Sequence, residues 1–253
     1  MNQTTLPVPV FTALDATVQG IGALVYLVIG VAAWARAPRD VRTRVFLAFS
    51  IANLVVLIVP AILWLRGSTD PAALPRGAVI AMMAGLGVSP LLLFHFTQIF
   101  PRRRPWIRSA GIQMPVAYVL VPSVIAGLVW FLPRELGQIA ILYVGALLVF
   151  GFPLFALLAI VLPFGAILSL IRSHRDVIRD GRDALRRPLE WILIGQIAGG
   201  SLALVFAPVL TVFAPNTLAQ KVVTVAICAL GLLTPLAFAV AVWKLDVLAV
   251  DPD

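Results

Sequence analysis

Residues 78–108 read AVIAMMAGLGVSPLLLFHFTQIFPRRRPWIR: twenty-three residues from Ala78 to Phe100 without a charge, then four arginines between Pro101 and Arg108. A run of that length covers the ~30 Å of hydrocarbon that needs ~20 apolar residues, and the arginines mark where the chain leaves it. The same alternation repeats along the sequence. Seven apolar segments are expected as helices over Thr17 to Ala35, Val45 to Leu65, Ala78 to Phe100, Ile112 to Leu132, Ile139 to Ile171, Trp191 to Phe213 and Val222 to Trp243. The fold class is therefore an all-α polytopic membrane bundle, with residues 1–253 forming one transmembrane domain.

The basic residues orient it. The gaps Arg36 to Arg44, Pro101 to Arg108 and Arg172 to Glu190 hold four, four and six arginines, and Lys244 brings the set to 15 of the 19 Lys and Arg. The alternate gaps hold only Arg66, Arg76, Arg134 and Lys221. By the positive-inside bias the arginine-rich loops and the C-terminus face the cytoplasm and the N-terminus faces out; seven crossings, an odd number, likewise put the two ends on opposite sides. Tryptophans agree, with Trp34, Trp106, Trp191 and Trp243 at inner ends and Trp64 and Trp130 at outer ends.

A hydrophobic fraction of 61%, a charged fraction of 12% and a mean hydropathy of +1.04 exclude a soluble domain of this length. The net charge of +8 is spread over loops beside membrane ends, without the aromatic-interleaved patch of a nucleic-acid binder. Expected partners are the bilayer, anionic inner-leaflet headgroups at the cytoplasmic loops, and a protein partner or fused output domain; no nucleic acid is expected. Met1 to Phe11 lack the basic start of a secretory signal, so the first apolar segment reads as a retained helix. The single Cys228 excludes an internal disulfide and a cysteine metal site.

Two irregularities stand out. The fifth segment would reach ~50 Å as one helix, so an irregular portion around Gly145 to Phe152 is expected before a helix that crosses and continues towards Glu190. Along that extension Arg172 with Asp176, Arg179 with Asp183 and Arg186 with Glu190 are spaced i,i+4, which reads either as a solvated, salt-bridged helix or as a lever towards a partner. Prolines fall in every segment but the first, as kinks that are either static shape or hinges.

Chemistry-bearing residues are few. The apolar cores lack Lys, Arg, Asp and Glu, which argues against ion-coupled transport. Asp15 reads as a helix cap or a ligand site at the outer end of the first helix. His95 lies near the inner end of the third helix and reads either as a coupling residue or as a neutral imidazole bonded to a carbonyl. With Gln98 three residues on and Gln196 at a comparable depth, it forms the expected ligand-binding or coupling cluster. Gly195 and Gly199 form a small-xxx-small pair expected at a helix contact. His174 reads as a surface residue. No phosphate-binding glycine loop, metal-spaced histidine pair or convergent catalytic set is present, so neither an enzyme nor a cofactor is expected.

Three stretches together resemble the N-terminal multi-helix membrane module of bacterial sensor histidine kinases. They are His95-Phe96 with Phe100-Pro101 and Arg102 to Arg104; Arg186-Arg187-Pro188-Leu189-Glu190-Trp191 leading to Gly195; and Pro235-Leu236-Ala237-Phe238-Ala239 with Leu245 and Asp246. In that family a dimerisation and ATP-binding region follows, and the sequence to Asp253 contains none. The resemblance implies an inner-membrane signal-input module within two-component signalling, catalytically silent itself. A structural or accessory subunit of a larger membrane complex is the alternative; a channel or transporter would call for an inverted repeat, which the segments do not display.

Overall fold

The computed structural model describes residues 13–66, 75–100, 113–131, 161–201, 225–226 and 229–249. Among them the fold is entirely helical. In chain order the elements are α1 (Ala13–Arg36), α2 (Val41–Leu65), α3 (Arg76–Ile99), α4 (Gln113–Phe131), α5 (Leu162–Arg179), α6 (Asp183–Gly195) and α7 (Leu233–Ala239). Wider π-helical turns continue α6 through Gln196–Ser201 and α7 through Val240–Lys244, and a short 3-10 turn covers Val247–Ala249. Three helices, α1, α2 and α3, are long and apolar enough to cross a membrane. The expected stretch around Gly145 to Phe152, residues 202–213 of the sixth segment, and residues 222–224, 227 and Cys228 of the seventh lie outside the described residues.

Two helices start earlier than their hydropathy suggests. α2 begins at Val41 rather than Val45 because Asp40 caps it: the Asp40 carboxylate accepts the Arg42 backbone N–H at 2.7 Å, and the Thr43 hydroxyl donates to Ala37 O at 2.6 Å. α6 begins at Asp183 rather than Trp191. Here Leu185, Leu189 and Ile192 are buried at i, i+4, i+7 while Arg186 and Arg187 stay exposed, so the arginine-rich gap is helical and amphipathic rather than an open loop.

Between α5 and α6 the chain reverses through Gly181, at φ +65°. The Gly181 N–H donates to Ile178 O at 3.2 Å and the Arg182 N–H to Val177 O at 3.0 Å, the paired bonds of a glycine helix stop. α5 therefore runs eight residues past Ile171 before it ends. Pro163 falls in the first turn of α5, where its missing N–H removes no intrahelical bond, whereas Pro90, Pro122 and Pro188 lie inside α3, α4 and α6.

Successive helices pack on one another from α1 to α4, α5 lies against α3 and α6, and α7 closes the arrangement on α6 and α1. The core concentrates at the end where α1 finishes and α2 begins. Phe46 stacks on Phe238 with centroids 3.7 Å apart, and Phe96 meets both at 5.8 and 5.2 Å, so one aromatic knot joins α2, α3 and α7. On the opposite side of α1, Ile21, Leu24, Val28 and Val31 are exposed along one stripe, as a lipid-facing surface is.

Candidate functional site in the middle of the bundle

A cavity of about 260 Å³ lies between α1, α2, α3, the start of α5, the π-helical turn after α6 and the residues leading into α7. Its wall is mainly apolar, including Gly22, Leu57, Leu86, Leu93 and Leu232, and carries six polar side chains: Gln19, Tyr26, Asn53, Ser89, Gln196 and Thr234. None of these is charged.

Several of those groups are engaged within the wall. The Asn53 amide donates to Phe49 O at 2.8 Å and to Ser89 Oγ at 3.1 Å, tying α2 to α3. The Tyr26 hydroxyl donates to Gly231 O at 3.1 Å, and the Thr234 hydroxyl donates to Gly195 O at 3.1 Å. Gln196 differs. It is 2% exposed and its Nε2 has no hydrogen-bond partner. A buried donor left unpaired forfeits the hydrogen bonds it made in water, so this atom is the polar vacancy of the wall.

Gly195 and Gly199 place Gln196 there. A Cβ on Gly195 would lie 2.5 Å from Ala237 Cβ and 2.7 Å from Leu233 O; one on Gly199 would lie 2.7 Å from Leu230 O. Only hydrogen fits, so α6 with its π-helical continuation meets residues 230–237 backbone to backbone, the close approach that small residues permit.

The residues singled out from sequence separate. His95 Nδ1 shares a hydrogen bond with the Tyr118 hydroxyl, and the two rings stack with centroids 5.8 Å apart, so His95 joins α3 to α4 through this side chain. Gln98 is buried at 4% exposure. Of the expected trio, Gln196 alone stands on the cavity wall among the described residues. The neighbours of Gln196 are instead mid-helix polar residues of α1, α2, α3 and α7. The signal for them was present: single uncharged polar side chains at the centre of runs otherwise apolar. The side chain of Asp15 lies outside the described residues.

The arginine-rich end of the bundle forms a second polar region. Arg42, 0% exposed, grips Asp40 with Nε at 3.0 and 3.1 Å and Nη2 at 2.7 Å, a fork-on-carboxylate pair. Its remaining donors reach Val247 O at 3.3 Å and Leu248 O at 3.5 Å, more than 200 residues away in sequence. Arg36 pairs with Asp246 at 2.7 Å, with both side chains exposed. Asp246 takes φ +47°, which turns the chain back after α7 and lets Val247 enter the core. Arg36 and Arg42 thus each have a carboxylate of this chain as counter-charge.

On the α5–α6 hairpin, Arg186 Nε donates to Glu190 at 2.9 Å and His174 Nε2 lies 3.2 Å from the same oxygen. His174 is therefore a link between the two helices. The Arg186 and His174 hydrogen bonds hold the Glu190 carboxyl below the usual range. Arg179 reaches Asp176 at 3.9 Å, an i,i+3 contact. No cluster of three or more His, Cys, Asp or Glu that could hold a metal occurs among the described residues.

Compared with models of protein families, with characterised proteins and with solved structures, the chain matches none.

Proposed function

We propose that the chain is a seven-span protein of the bacterial cytoplasmic membrane, N-terminus outside, that acts as a signal-input module of the kind that precedes sensor histidine kinases, without catalysis of its own. The alternating arginine loops support the crossing number and orientation. One observation supports the relay above the others: the segment leaving α7 is held at the α1–α2 turn by Arg42 and Arg36. α1, α2 and the residues leading into α7 also line the cavity. A change in the cavity that favours one arrangement of these helices then repositions residues 245–249, where an output would be coupled.

The exposed Arg36–Asp246 pair offers a test that spares the core. Arg36→Asp and Asp246→Arg are each expected to change the transcript profile of the native host, and the double reversal to restore it. A gene deletion that alters the profile while both single reversals match wild type removes the exit from the mechanism. Co-purification at fixed stoichiometry with a membrane complex, with no transcript change, is the result that would establish an accessory subunit instead. For orientation, Arg39→Cys in a Cys228→Ser background should react with an impermeant maleimide in inside-out vesicles and not in spheroplasts. The reverse pattern would invert the topology.

A further inference from the structure

The cavity described above has the attributes of a ligand site, and they restrict what it takes. An engineered cavity of ~150 Å³ with apolar walls accommodates benzene. At about 260 Å³ this one suits a molecule of two fused rings or an equivalent short apolar body. Among the described residues the wall carries no charged side chain, so an ionised ligand would lose its hydration with none of them to replace it.

The polar requirement is narrower still. Tyr26, Asn53 and Thr234 already direct donors at Gly231 O, at Phe49 O and Ser89 Oγ, and at Gly195 O respectively. Among the fully buried donor atoms of the wall, Gln196 Nε2 is the one without a partner. A carbonyl oxygen satisfies it without bringing a proton that needs an acceptor in turn. Access is from the side: Leu86, on the cavity wall, is 48% exposed, so among the described residues the cavity reaches the outer surface of the bundle, where lipid stores apolar solutes. The π-helical turn that begins at Gln196 is a further sign, since such wide turns concentrate at functional positions.

We propose that this cavity binds an uncharged, largely apolar molecule carrying a carbonyl oxygen, which enters from the bilayer and accepts a hydrogen bond from Gln196 Nε2. As the input of the relay, the site rests on the proposed function. As a binding site it stands without it, and binding to the purified protein is measured separately from output in cells.

The probes are 1-tetralone and tetralin, a matched bicyclic pair with and without the carbonyl. The full chain in lipid nanodiscs is dialysed against each, with empty nanodiscs subtracted for partitioning. The expected result is saturable binding of 1-tetralone, roughly tenfold tighter than tetralin, the equivalent of one buried hydrogen bond. Gln196→Met, close to it in volume, should lower 1-tetralone affinity by a similar factor, leave tetralin unchanged and melt no lower than wild type. Gly22→Leu, which fills the wall beside Leu57 and Leu232, should abolish binding of both. Equal affinities for the two probes in wild type, non-saturable uptake, or full 1-tetralone binding by Gly22→Leu would each overturn the assignment. So would unchanged 1-tetralone affinity in Gln196→Met.

Discussion

Arg42 and Gln196 are equally hidden from solvent, at 0% and 2% exposure, yet they face opposite circumstances. Arg42 has a bidentate carboxylate and two carbonyls around its guanidinium, and the aromatic knot of Phe46, Phe96 and Phe238 belongs to the same core. Gln196 stands on a cavity wall with its Nε2 unmatched. Burial alone thus says nothing about purpose. A polar group surrounded by partners holds elements together, while one left without a partner in a space of ligand size is a place kept for something else.

The largest effect is expected where the paired group is broken. Arg42→Ala strands Asp40 without its counter-charge and frees the carbonyls of residues 247 and 248, at a cost of about 3–5 kcal/mol, whereas Arg36→Ala at the exposed Arg36–Asp246 pair should cost about 0–1 kcal/mol. Thermal unfolding in nanodiscs compares the two. Similar losses for both would mean that the buried clasp is no tighter than the surface one.

A smaller effect is expected where the cavity end depends on close approach. Gly199→Ala forces a methyl to within 2.7 Å of Leu230 O and should cost about 1–3 kcal/mol, while Gly77→Ala, with nothing within 4 Å, should cost nothing measurable. If both variants melt with wild type, the contact between α6 and the residues leading into α7 has room for a methyl group, and the position of Gln196 loses its cause.

How far the sequence reaches can be read at particular residues. The apolar cores of α1, α2 and α3 are legible because a membrane solvent permits little else in a run of that length. The starts of α2 and α6 are not, because hydropathy counts every arginine as a loop charge. Asp40 and Arg42 neutralise each other inside the fold, and Arg186 and Arg187 ride the exposed face of a helix. No spacing could bring Val247 to Arg42, since that contact exists only once α7 has returned to α1. Gln196 is legible as a polar residue at the inner part of its segment. Its surroundings are not, because attention to ionisable groups passes over Asn53, Ser89 and Thr234, whose partners lie on other helices.

The backbone contact at Gly195 and Gly199 has a mechanical meaning. Where a layer of side chains separates neighbouring helices, such a layer absorbs small movements by changing rotamers. Between α6 with its continuation and α7 the side-chain spacer is missing at two successive turns, so the pair behaves as a splinted beam. One end of that beam carries Gln196 and the other Lys244, and a push on the first is passed to the second with little give along the way.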